Sequence, residues 1–315
     1  MGTWIRYSIV GIFAGVAAMW TAPRIAAEPH DTSVQTLDFP GAMLTRAFGI
    51  NARGDIVGLY IDAQNVTHGW LLKDRRYFSI DVPGAIRTNA VAINSEGQVA
   101  GRYDTPDMVA HGYVLSGDTV ETIDAPGAAG FTVVTDISPD GDIVGRYMTA
   151  DKKFHGFVRA GGVFTPIDHR DANGTPDMGP MGIQGMAINA DGLMAGYYQD
   201  VSKRFHAFIL DNGTFIPVAP PDALDTGGSG GVLHLNPRGD LVGGFKKPDD
   251  PVLPCGCGGH AFVYRAGTTM SYDLPGALVT TNAGINPQGD IVGIYVDAQG
   301  RSHGFLAPAG VEGGR

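Results

Sequence analysis

Six histidines recur along this 315-residue chain, and four are followed thirteen residues later by an aspartate: His68 with Asp81, His111 with Asp124, His155 with Asp168 and His260 with Asp273. A carboxylate beside an imidazole fixes its tautomer and favours its charged form, which is the chemistry of a general base. Catalysis, however, needs one such pair in a unique setting. A pair that returns at every copy of a repeat is expected to be structural, a satisfied polar contact that orients each unit. His206 has Ala219 at the matching place, and His303 would find its partner only in Asp38, at the other end of the chain.

The repeat that positions these residues occurs six times. A glycine closing a Val-Gly-like step falls at Gly58, Gly101, Gly145, Gly196, Gly243 and Gly293, and in five copies the histidine follows ten residues later. In the fifth copy His260 comes seven residues late, which marks an insertion. Each unit divides into four apolar runs of strand length, a to d. Asn-x-x-Gly between a and b (Asn51 to Gly54 in the first copy) suits a type I turn with a left-handed glycine. Two-residue turns such as Gly161-Gly162 and Asn212-Gly213 separate c from d. In a hairpin with such a turn the register is fixed, so each histidine on c faces its aspartate at the end of d. Four antiparallel strands repeated six times predict a six-bladed β-propeller. An unaccompanied d strand at residues 36–38 and a final c strand without a d predict that the N-terminal strand completes the last blade, leaving no free edge.

His206-Ala207-Phe208 and His260-Ala261-Phe262, with His-Gly-aromatic in the other copies, resemble the HAF repeats of bacterial extracellular proteins from residue 36 to about residue 308. That resemblance implies a secreted repeat protein. It implies no established chemistry, so no catalytic residue carries over and none is assigned.

Composition agrees with the architecture. The chain has 47 Gly and 20 Pro, only 17% charged residues and a formal charge of −10, with no basic run, which argues against nucleic acid as a partner. Residues 1–27 read as a secretory signal: Arg6, an apolar stretch of residues 9–20 too short to span a bilayer comfortably, then small residues up to Ala27. Residues 28–34 would be a linker, 35–310 one propeller and 311–315 a tail. No stable membrane span is expected after cleavage, and the protein is expected to be a monomer.

Function is expected where the repeat lapses. The a–b and c–d turns are short and regular, and the opposite face, built from the b–c loops and d–a corners, holds every large irregularity. Asp168 to Asn189 and Ala219 to Asn236 are longer than the matching spans, and the insertion before His260 adds a third, all around blades 4 and 5. Loop variation on a rigid scaffold is where binding is usually built. The sector contains Asp168, His169, Arg170, Asp171, Asp177, Asp222, Asp225, Lys246, Asp249 and Asp250 as candidate ligand residues. These would suit sugar hydroxyls, or a divalent cation such as calcium, although no cofactor is required. Cys255 and Cys257 could form a local disulfide or bind a soft metal. The expected activity is therefore that of a binding module for a glycan or a cell-envelope or other extracellular protein; the alternative is a propeller hydrolase or lyase using the same carboxylates. Two Arg-Gly-Asp tripeptides, at Arg53 and Arg238, fall on a–b turns and are read as turn sequence rather than adhesion signals.

Overall fold

The structure, a computed structural model, describes residues 33–169, 182–226, 233–250 and 259–310. The chain is a six-bladed β-propeller of antiparallel sheets, each ordered a-b-c-d. In blade 1 the strands are Leu44–Ile50, Ile56–Ile61, Thr67–Lys73 and Arg76–Ile80. Blades 2, 3 and 4 repeat this from Arg87, Thr132 and Ile183. Blade 6 has only three consecutive strands, from Val279 to Ala307, and Gln35–Leu37 supplies its d strand, with Gln35 opposite Leu306 and Leu37 opposite Gly304. The ring therefore closes through its two ends, as the strand count predicts.

The recurring glycine has a steric cause. Gly58 lies directly opposite Trp70 across strands b and c. A Cβ added there would stand 1.9 Å from the Arg46 carbonyl oxygen and 2.9 Å from the Trp70 ring. Trp70 in turn donates its indole N–H to the carbonyls of Arg46, at 3.1 Å, and Leu59, at 3.0 Å. The same aromatic position is filled by Tyr113, Phe157, Phe208, Phe262 and Phe305, each fully buried. Strands a, b and c thus converge where only hydrogen fits, and the ring of strand c covers the gap. The strand-b tyrosines Tyr60, Tyr103, Tyr147 and Tyr295 are half-buried, and Tyr60, Tyr147 and Tyr295 pack against the buried clusters around these rings.

The turns follow the sequence. At Asn51 the carboxamide oxygen accepts the N–H groups of Arg53 and Asp55, and Gly54 takes φ 82°. The first residue of all five two-residue c–d turns has positive φ, from 47° at Asn212 to 58° at Gly117, as primed hairpin turns require. The Asn51 amide also donates 3.1 Å to the Asn94 carbonyl of the next blade, and Asn94 does the same to Ser138. In the Arg-Gly-Asp turns, Arg53 binds Asp55 at 3.1 Å and the Ser95 carbonyl, and Arg238 binds Asp240 and the Pro287 carbonyl at 2.7 Å. Both arginines stitch their turn to the following blade.

One boundary differs from the sequence reading. The extra residues of blade 5 do not lengthen the corner before strand a. That corner is regular, with Leu224 N–H donating to the Lys246 carbonyl as Met43 does to Ile61. Strand a itself is split into Asp225–Thr226 and His234–Leu235, both paired with Leu241–Lys246. Counting between turn markers cannot tell a long corner from an interrupted strand.

The close approach at the glycine makes a direct prediction. Gly101→Ala would bring a methyl group to 2.0 Å from the Asn89 carbonyl oxygen. Urea denaturation should show a loss of about 3 kcal/mol or more, overpacking against backbone that cannot move aside; an unchanged midpoint would contradict the steric account.

Candidate functional site

On the face carrying the b–c loops and d–a corners, the repeated histidines fasten the loops. The c–d register continues one rung past the strand, and Nδ1 meets the corner aspartate: His68 with Asp81 at 2.6 Å, His111 with Asp124 at 2.9 Å, His155 with Asp168 at 2.7 Å, His260 with Asp273 at 2.7 Å, and His303 with Asp38 at 2.9 Å. The other ring nitrogen reaches a second loop. His68 Nε2 lies 3.2 Å from Asp62, His206 Nε2 2.8 Å from Asp200, and His303 Nε2 3.3 Å from Asp297, while Thr149 serves His155 at 3.3 Å. The second partner stands six residues before the histidine and is the first residue of a tight b–c turn, whose amides it also holds; Asp62, for example, accepts the N–H groups of Gln64 and Val66. Sequence reasoning found only the first partner, although the six-residue spacing was legible.

At His68, His155, His260 and His303 the imidazole clamps a b–c loop to a d–a corner, and the ring lies against the strand-b aromatic, at 4.8 Å for Tyr60 and His68. Burial alone would disfavour the charged form of His68, but its bonds to Asp81 and Asp62 outweigh it and raise the pKa. Asp200 and Asp297 are held down to about 2: partial burial opposes this, and the bonds from His206 and Ser202, or from Arg301 and His303, prevail. With carboxylates or hydroxyls on the ring nitrogens, these histidines are occupied as fasteners.

Seven of the ten candidate ligand residues lie among the described residues. Asp168 belongs to the His155 clamp. Asp250 takes the second place on His260, at 3.0 Å, and caps the Lys247 amide. His169 stacks on Tyr198 with centroids 3.8 Å apart, as Phe39 stacks on Tyr60 in blade 1. Asp225 accepts the Phe205 amide at 3.0 Å, and Asp222 sits in a turn at φ 60°. Lys246 ends strand b of blade 5, paired with Asp225, and Asp249 lies in the following loop. Arg170, Asp171, Asp177, Cys255 and Cys257 lie outside the described residues. Among the described residues no three His, Cys, Asp or Glu side chains converge as metal ligands do.

A histidine–carboxylate pair that does not repeat lies on the innermost strands. Two residues before the a–b turn the six copies read Gly49, Ala92, Asp136, Ala187, His234 and Gly284. The inner strands of neighbouring blades nearly touch there, so that a Cβ on Gly49 would lie 3.0 Å from the Ala92 Cα. Asp136 and His234, only 4% and 7% exposed, reach each other across the small Ala187, with His234 Nδ1 3.5 Å from Asp136 Oδ1. Asp136 also accepts the Ile188 and Ile137 amides at 2.9 and 2.8 Å. Burial pushes its pKa up, and the nearby His234 and the two amides only partly offset that. Comparing the six copies at this single position would have revealed the pair.

No family model matches the chain, and no curated protein is similar to it in sequence. Solved structures share the fold. A putative TolB from Agrobacterium tumefaciens is 15% identical with a TM-score of 0.54, over 85% of this chain and 91% of that one. The fucose-specific lectin from Aleuria aurantia is 13% identical with a TM-score of 0.51, over 87% and 95%. The β-propeller domain of the Trilobed protease from Pyrococcus furiosus is 10% identical with a TM-score of 0.51, over 86% and 83%. That domain is described as having an open velcro topology, whereas here Gln35–Leu37 pairs with Ser302–Ala307.

The clamp and the axial pair give two tests. The raised His68 pKa contributes stability that is full below the unfolded value, about 6.5, and is lost as pH rises through the folded one. The lowered Asp62 pKa contributes above about pH 4 and fades as pH falls. His68→Ala should therefore lower the melting temperature more at about pH 5.5 than at about pH 8.5; an equal drop at both would remove the electrostatic reading. Asp136→Ala should cost about 3 kcal/mol in denaturant melts, because it strands a buried imidazole and two amides, and a near-neutral effect would show that the contact is incidental.

Proposed function

We propose that this protein is a secreted, non-catalytic binding module that recognises a glycan or a cell-envelope partner through the b–c and d–a face of blades 4 and 5. One observation carries the reading: the two long connections of this face both fall in these blades, between Ile167 and Ile183 and between Lys246 and His260, and the interruption of strand a between Thr226 and His234 lies in blade 5 as well. The turns of the opposite face keep one pattern around the ring. Rigid scaffolds that vary on one face only are built for recognition. The repeated histidines, held on their ring nitrogens by loop aspartates and by Thr149, favour binding over general-base chemistry. The shared fold of a fucose-specific lectin is compatible with a saccharide ligand, and the apolar segment of residues 9–20 with export.

The test must leave the fasteners intact. Replacing residues 251–258 with a short Gly-Ser link retains both Asp250 and His260 and so preserves that clamp. Binding to an immobilised glycan panel and to an envelope fraction should be seen with the full chain and lost in the shortened variant, with melting temperatures within about 2 °C of each other. Equal binding by both would overturn the assignment of this face.

A further inference from the structure

A second departure from the repeat lies on the inner strands of blades 2 and 3. Immediately after the recurring glycine of strand b the copies read Leu59, Arg102, Arg146, Tyr197, Gly244 and Ile294, so two blades place a guanidinium where the others have uncharged residues. The arginines meet around Phe131, which leads into strand a of blade 3. The Phe131 backbone is fixed by a bridge to Ala110 and by the Met148 amide on its carbonyl at 3.1 Å. The Arg102 guanidinium is 5.0 Å from the Phe131 centroid, and that of Arg146 is 5.4 Å from Phe131 and 5.1 Å from Phe154.

The charge there is unbalanced. Arg102 grips Asp104 with two bonds, at 2.6 and 2.9 Å, and Arg87 reaches the same carboxylate at 3.3 Å. Arg146 has no carboxylate partner among the described residues. Its Nη1 donates to the neutral Gln184 carboxamide oxygen, and its Nε, fully out of solvent, meets no acceptor. Burial, with Arg102 nearby, pulls its pKa down to about 10. In a chain of net charge −10, three guanidinium groups thus share one carboxylate. A buried cation without a counter-ion is costly, and aromatic faces compensate it only in part. Arg87, Phe131 and Phe154 stand at the starts of a or c strands and Asp104 at the end of a b strand, so the group opens on the b–c and d–a face, beside the axis.

We propose that Arg146 and Arg102, backed by Phe131, form a binding site for an oxyanion group, the carboxylate, sulfate or phosphate of a ligand that enters from this face. A guanidinium presents a planar fork that such groups fill with two parallel bonds. The site shares no residue with the 251–258 segment and does not depend on the glycan reading.

Titration of the full chain with sodium acetate, glucuronate, sulfate and phosphate, with glucose as the neutral control and ionic strength held constant, distinguishes the sources by calorimetry and melting shift. A saturable response to at least one oxyanion and none to glucose is expected, weakened by about tenfold or more in Arg146→Gln. Gln184→Glu supplies a carboxylate from within, so it should raise the melting temperature and abolish the response, which keeps the test decisive if Arg146→Gln fails to fold. No saturable response to any oxyanion, or an unchanged one in the variants, would overturn the site. Retention of the oxyanion response in the 251–258 replacement, with glycan binding lost, would separate the two sites.

Discussion

The structure depends on one steric constraint: in five blades three strands converge on a glycine, and in all six the ring of strand c lies over it. Because the strand-a carbonyl stands within 2.6 Å of a hypothetical Cβ at five of the six glycines, and the Tyr197 hydroxyl at 2.5 Å in the sixth, the blade has no slack at its centre. An aromatic side chain contributes the largest apolar area available to a single residue, and here it is spent six times at the same depth. Everything peripheral is positioned from that rung. Counting outward from it along strand c fixes where the histidine stands, and counting inward along strand a fixes where Asp136 and His234 meet.

The histidine clamps extend this order to the rim. A b–c turn of five residues and a Pro-Gly corner would each be mobile alone, since short exposed loops bury little and keep their entropy. Joining both to one imidazole packed on an aromatic ring, as in four of the blades, stiffens the rim. The clamp of blade 5 survives a long insertion because Asp250, although ten residues before His260 rather than six, still reaches its ring. The spacing is disposable and the contact is retained.

Much of this was legible from the chain alone. Blade number, ring closure and the five histidine–aspartate pairings follow from repeat spacing and hairpin register, because antiparallel pairing leaves one answer once a two-residue turn is placed. What the sequence concealed was contact between blades. Asp136 and His234 belong to different copies, and only the ring brings strands separated by a whole blade together. Asp250 was read only as a ligand residue because acidic loops are common on binding faces, and its bond to His260, ten residues away rather than six, was not legible. The arginines of blades 2 and 3 lie within regular strands, where no loop irregularity draws attention to them.

Ring closure by Gln35–Leu37 carries a consequence for how the protein comes to be folded. The first described strand in chain order pairs with the last, Ser302–Ala307. Five blades can pair locally as they emerge, because each is a meander of neighbouring hairpins. The sixth cannot, and its hydrogen bonds and the contact between His303 and Asp38 must wait for a loop of nearly the whole chain to close. Until then blade 6 exposes a bare edge. The protein therefore has a built-in interval in which it is almost complete and most vulnerable to pairing with another chain, and that interval ends only with arrival of the final strand.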